Sequence, residues 1–212
     1  PSLTVIHHWD DETDPSLFDA PPLPPAQAEA LTALIRTSHH CNWPRTLKRL
    51  WLISRPQVPF SAALAIAERW RGIEDLSLCV SDDTPTWVTR LLLESLPHMT
   101  RFEIYWLGGP LAPPQLGAPF SFSSTLTLPR LRTASVGLAD DETFVGLSLP
   151  VLADLCFKGT GARCTDFSAV LRAAPNLDVL ALCNCEVSEL KEGGEFFAHS
   201  RLRELQLVEC TC

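Results

Sequence analysis

The feature that most constrains this chain is a spacing. An apolar residue, two variable residues, a second apolar residue, one variable residue and a third apolar residue form a phrase that returns about every 25 residues. It reads Leu177, Leu180, Leu182 and then Cys185, and again Leu202, Leu205, Leu207 and then Cys210. Looser copies run back through Leu152/Leu155/Phe157, Leu131/Ala134/Val136, Met99/Phe102/Ile104, Ile73/Leu76/Leu78 and Leu47/Leu50/Leu52. Counted back from the last copy, the offsets are about 25, 25, 21, 32, 26 and 26 residues. A unit this short cannot bury its own apolar face, so neighbouring units must stack. The expected result is a solenoid, an architecture that usually binds other macromolecules.

Within each phrase apolar and variable residues alternate, the period-2 signature of a half-buried strand. In Leu50-Trp51-Leu52, Leu76-Ser77-Leu78, Phe102-Glu103-Ile104 and Leu205-Gln206-Leu207 the outer pair points inward and the middle residue to the other face. Leu3-Thr4-Val5 has the same local form and counts as a partial eighth copy. Helices are expected between strands. Thr84-Pro85 offers an N-cap and a first-turn proline ahead of Trp87, Val88, Leu91 and Leu92. Phe60, Leu64, Ala67 and Trp70 fall at helical spacing, with Gly72 as C-cap, and Asp166, Phe167, Val170 and Leu171 give a shorter helix before Pro175. Strand then helix, repeated in one direction, implies an α/β fold with a parallel sheet and right-handed crossovers.

Two stretches break the pattern. Pro15 to Pro25 reads as an extended polyproline-like loop, and residues 108–119 (Gly-Gly-Pro-Leu-Ala-Pro-Pro-Gln-Leu-Gly-Ala-Pro) account for the long interval of about 32 residues. The organisation expected is one solenoid unit over 1–212: a partial repeat with a Pro-rich insertion in 1–46, then about seven repeats in 47–212. The chain begins at Pro1 and stops at Cys212 inside a repeat, so both ends are expected to be cuts in a longer protein.

Composition narrows the partner. A formal charge of −8 lacks the basic stripe that a nucleic-acid backbone requires. No run reaches the roughly 18 apolar residues of a membrane span. Eight cysteines in a chain long enough to build its own core, several at repeat positions that want a small apolar side chain, read as reduced thiols. That expectation places the protein in the cytoplasm or nucleus, an intracellular setting.

The strict copies, Leu177-x-x-Leu180-x-Leu182-x-x-Cys185 and Leu202-x-x-Leu205-x-Leu207-x-x-Cys210, resemble the cysteine-containing leucine-rich repeats of F-box/leucine-rich-repeat proteins. Cys164-Thr165-Asp166 followed by Val170-Leu171 looks like the helix-start phrase of that class, and ribonuclease-inhibitor-like scaffolds carry similar repeats. The resemblance covers most of residues 47–212, with Met, Phe, Ile, Ala or Val replacing leucine in the looser copies. It implies a horseshoe with a parallel sheet on the concave face and helices on the convex face. It also implies docking to a ubiquitin-ligase core through an F-box outside the repeats; no F-box is present in this sequence.

No catalytic motif stands out: there is no Gly-x-Ser-x-Gly elbow, phosphate loop or His-Glu-x-x-His, and Gly159-Thr160-Gly161 reads as a turn. Neither a metal site nor a cofactor is expected. Asp10-Asp11-Glu12-Thr13, Asp82-Asp83-Thr84 and Asp140-Asp141-Glu142-Thr143 lack the glycine-containing ligand loop of a calcium site, and suit helix N-termini instead. Cys183-x-Cys185 and Cys210-x-Cys212 suggest a zinc site, but the register turns Cys185 and Cys210 inward and Cys183 to the concave face. His7-His8 and His39-His40-Cys41 place adjacent residues in different directions, which suits neither shared ligation nor a dyad.

The functional surface expected is the row of variable strand positions on the concave face. In-register stacking lines up Arg49, Trp51 and Ile53 with Asp75, Ser77 and Cys79, then with Arg101, Glu103 and Tyr105, and so on through Asp154, Cys156 and Lys158 to Glu204, Gln206 and Val208. Trp51 and Tyr105 are the candidate anchors for a protein partner. Arg49, Arg101, Glu103, Asp154, Lys158, Glu204 and Gln206 are the candidate polar contacts. The reading is a non-catalytic recognition scaffold, with the substrate-binding region of an F-box ubiquitin-ligase adaptor as the form the resemblance implies. The alternative is a structural or sensing array in a larger multidomain receptor, with binding elsewhere.

Overall fold

The computed structural model describes residues 2–5, 25–37, 46–52, 57–81, 84–106, 125–137, 139, 143–158, 168–183, 201–208 and 210. In chain order these form β1 (Ser2–Val5), α1 (Pro25–Thr37), β2 (Arg49–Leu52), α2 (Phe60–Arg69), β3 (Asp75–Val80), α3 (Trp87–Ser95) and β4 (Arg101–Trp106). They continue with β5 (Leu126–Thr127), β6 (Thr133–Val136), β7 (Leu147–Ser148), β8 (Asp154–Lys158), α4 (Ser168–Ala173), β9 (Val179–Cys183) and β10 (Glu204–Val208). The fold is α/β. Eight strands build one sheet in the order β1-β2-β3-β4-β6-β8-β9-β10, every pairing parallel, so the sheet follows the chain without a reversal.

The repeated phrase acts through two backbone devices. The N–H of Ile73, Met99, Leu152 and Leu177, each the first apolar residue of a phrase, bonds to the carbonyl three residues back, on Trp70, Leu96, Leu149 and Ala174. That tight turn aims the chain into the next strand. Just ahead of each strand, one carbonyl then receives two N–H groups of the following unit: Lys48 from Glu74 and Asp75, Glu74 from Thr100 and Arg101, Thr100 from Arg132 and Thr133. Arg132, Ala153 and Asp178 accept in the same way. These bonds fix the register before any side chain is considered.

The core lies between the sheet and the helices. The inward strand residues Leu50, Leu76, Leu78, Phe102, Ile104, Leu155, Phe157, Leu180 and Leu182 are buried together with Ile66, Trp70, Val88 and Leu92 from the helical layer. Alanines at 62, 63, 65 and 67 let α2 approach closely. The helices sit side by side: Thr32 and Ser61 hydroxyls meet at 3.0 Å between α1 and α2, and Phe60 meets Trp87 edge-on at 5.5 Å between α2 and α3.

Three local expectations are corrected. Thr84 does not cap α3; its N–H bonds back to Ser81, and the helix begins at Trp87 after Pro85 and Thr86 accept from Val88 and Thr89. Gly72 is not the cap of α2, which closes at Trp70 as its N–H bonds to Ile66. The helical layer also extends to α1, where the sequence reading saw only a partial repeat. Leu126–Thr127, at the end of the long interval, and Leu147–Ser148, in the short interval that follows, form a second two-stranded sheet. Gly146 turns the chain into β7 at φ 71°, a conformation glycine adopts without a Cβ penalty.

Residues 10–13, 82–83 and 140–142 of the acidic clusters lie outside the described residues. So do the Pro-rich segments 15–24 and 108–119, both histidine pairs, Ile53, Gly159–Gly161, Asp166, Phe167, Cys41, Cys164, Cys185 and Cys212.

Candidate functional site

Alternation sends Trp51, Ser77 and Glu103 to the face opposite the helices, and the register aligns them. Arg49 pairs with Asp75, and Asp75 with Arg101; Trp51 pairs with Ser77, and Ser77 with Glu103; Cys79 pairs with Tyr105. The rows continue through Thr133, Asp154, Val179 and Glu204, and through Ser135, Cys156, Ala181 and Gln206. The in-register stacking read from the sequence is the stacking observed.

At one end of this face the side chains form a network centred on Glu103. Arg101 donates to its Oε1 from two guanidinium nitrogens, at 3.1 and 2.6 Å. Ser77 and Tyr105 each donate to Oε2 at 2.9 Å. Trp51 donates its indole N–H to Asp75 at 2.9 Å, and the Arg101 guanidinium lies 6.0 Å from the Trp51 ring centre. Lys158 places its ammonium 4.7 Å from the Tyr105 ring centre, within cation–π range. Gly137 lies in line between those two strands. A Cβ there would meet the Lys158 carbonyl oxygen at 2.9 Å and the Trp106 nitrogen at 3.1 Å, so only glycine fits.

The electrostatics follow the contacts. Burial opposes a charge on Glu103, but the hydrogen bonds from Arg101, Ser77 and Tyr105 outweigh it and hold the carboxyl below its ordinary range. Burial, then the adjacent Glu103 charge, keep the Tyr105 hydroxyl protonated well above the ordinary tyrosine range. The hydrogen bond to Glu103 raises Arg101 further. The result is a carboxylate fixed as an anion, with its donors fixed as donors.

Trp51, Arg101, Glu103, Tyr105 and Lys158 are therefore brought together. Arg49 is exposed in the row that carries Asp75 and Arg101, and Asp154 is exposed two strands beyond Arg101. Glu204 and Gln206 are not part of the cluster: they bond to each other at 2.6 Å on the edge strand β10, with β6, β8 and β9 intervening. The face is also less open than its register implies. Ser77 is 1% exposed and Cys79, Ser135 and Ala181 are buried, because large neighbours close over small ones.

The sequence reading passed over one close pair. The Cys156 and Cys183 sulfurs stand 3.9 Å apart on this face, one strand apart and diagonal in register. Burial, reinforced by the neighbouring Cys183, pushes the Cys156 thiol up to about 11. The signal was available in the aligned rows, where Cys156 sits beside Ala181 and two positions short of Cys183. Cys210, read as inward, is half-buried and directs its thiol to the Leu182 carbonyl at 3.1 Å.

Among the described residues no three histidine, cysteine or acidic side chains gather as a metal site, and no helix is long and apolar enough to cross a membrane. Comparison with known proteins yields no match to a family model, a curated protein or a solved structure.

Proposed function

We propose that this chain is a leucine-rich-repeat horseshoe whose open sheet face is concave and binds a protein partner without catalysis. The form we favour is the substrate-selecting repeat region of an F-box ubiquitin-ligase adaptor. The solenoid reading is supported by the strand order, which follows the sequence, and by the backbone bonds repeated ahead of each strand. The recognition reading rests above all on Glu103, whose four hydrogen bonds hold Arg101, Tyr105 and Ser77 in place on the sheet face.

Side chains ordered before a partner arrives lose little rotamer freedom on binding, so more of the contact energy becomes affinity. Trp51 and Tyr105 supply aromatic area, Arg101 and Lys158 lie against those rings, and the mixture is that of an interaction hot spot. Affinity capture from cells tests this, using the tagged wild-type protein beside a Trp51→Ala/Tyr105→Ala variant. The expected result is a reproducible partner lost with the variant, with ubiquitin-ligase core subunits co-captured when the natural full-length protein carrying these repeats is the bait. A partner retained equally by both removes the anchors. Reproducible partners without the ligase core remove the adaptor role and leave the scaffold.

A further inference from the structure

We infer that Cys156 and Cys183 form a dithiolate site for a soft ion of low coordination number, of the copper(I) class. Their sulfurs lie 3.9 Å apart, both half-buried on the open sheet face. Two sulfurs bonded at about 2.3 Å to a three-coordinate ion, at about 120° to each other, stand roughly 4.0 Å apart, so the pair is already at chelating distance. A disulfide fits this placement poorly. Cys156 pairs in register with Ala181, and Cys183 with Lys158, which makes the cysteines diagonal neighbours. Parallel strands about 4.8 Å apart with a two-residue offset of about 6.6 Å put diagonal Cα atoms about 8 Å apart, beyond the roughly 7 Å that a disulfide spans without backbone movement.

The surroundings select the ion. No third histidine, cysteine or carboxylate joins the pair among the described residues, so an ion that needs four protein ligands is poorly served. Thiolates favour soft ions, and copper(I) heads that class for two sulfur ligands. Ligation displaces both thiol protons to solvent and leaves a bis-thiolate complex of net charge −1. Lys158, opposite Cys183 in register and two residues beyond Cys156 on the same face, holds its ammonium against the Tyr105 ring and adds a positive charge near Cys156. The half-exposed setting leaves a coordination position open towards solvent or a bound partner. This site does not depend on the face binding a protein.

The test titrates the reduced full chain with copper(I) against a chromophoric copper(I) chelator, for wild type, Cys156→Ser, Cys183→Ser and Lys158→Gln. Wild type is expected to hold one tight equivalent that both serine variants lose, with affinity at least about 100-fold lower, because one thiolate cannot chelate. Lys158→Gln, which touches neither sulfur's bond, should weaken the same equivalent by several-fold. A second measurement needs no variant: maleimide labelling of wild type with and without one equivalent of copper(I), read peptide by peptide. Protection of Cys156 and Cys183 together supports the site. Unchanged labelling at both, unchanged affinity in folded serine variants, zinc bound as tightly as copper(I), or ready closure to a Cys156–Cys183 disulfide would each overturn it.

Discussion

The strands β2 to β4 and the edge strand β10 are written in the same phrase and end in different environments. Leu76, Leu78, Phe102 and Ile104 are fully buried, flanked by a strand on each side and covered by helices. Leu205 and Leu207 occupy equivalent positions, in register with the buried Leu180 and Leu182, yet remain 40% and 47% exposed. On the opposite face the contrast repeats. Glu103 gathers donors from β3 and β4, whereas Glu204 bonds only to Gln206 on its own strand among the bonds described there. The phrase sets which way a side chain points; its neighbours on both sides determine whether it is buried or networked.

Substitutions can break or sharpen that contrast. Phe102→Ala should have the largest effect, costing about 3–5 kcal/mol in chemical denaturation, since a fully buried ring is removed and a cavity is left behind. A loss below about 1 kcal/mol would show that the middle of the sheet is no better packed than its edge. Cys156, between the two regions, should react with a maleimide at pH 8 about 100-fold more slowly than a thiol of ordinary pKa 9.0, because its own is pushed up to about 11. Its rate should keep rising well beyond pH 9; a plateau there would mean the thiol is less buried than described.

Glu103→Gln should cost about 1–3 kcal/mol by weakening charge-assisted bonds within the network. The carboxyl is depressed below its ordinary 4.5 in the folded state, so its contribution is complete above that pH and fades as acid protonates the folded protein. Wild type should therefore lose its margin over the variant below about pH 4.5. Parallel stability curves would contradict the network. Leu205→Ala should have the smallest effect, under about 1 kcal/mol, because much of the side chain is already in water. A cost near that of Phe102→Ala would dissolve the contrast.

The sheet was legible because its cause is local and repeated. Period-2 alternation and a spacing of about 25 residues specify parallel strands in sequence order, and the rows read from spacing match the observed pairings. Helix ends were harder to read. Thr84 has the chemistry of a cap, but it lies three residues ahead of Trp87, and its hydroxyl is 3.5 Å from that of Ser81. The α1 helix was hidden behind the proline run, although Pro25 suits a first helical turn. At the candidate site, residue types marked Trp51, Arg101, Glu103 and Tyr105, but spacing along one strand carries no information on which side chains bridge strands. The Ser77 and Asp75 contacts emerged only from pairing, as did the approach of Cys156 to Cys183.

The most direct test of recognition through the ordered end of the face is calorimetric affinity for a captured partner, comparing variants at its two ends. Trp51→Ala/Tyr105→Ala should weaken binding by about 100-fold or more, the cost of losing two central anchors, while Glu204→Ala/Gln206→Ala should change it by less than about threefold. Equal losses from both pairs, or a larger loss from the edge-strand pair, would contradict the account.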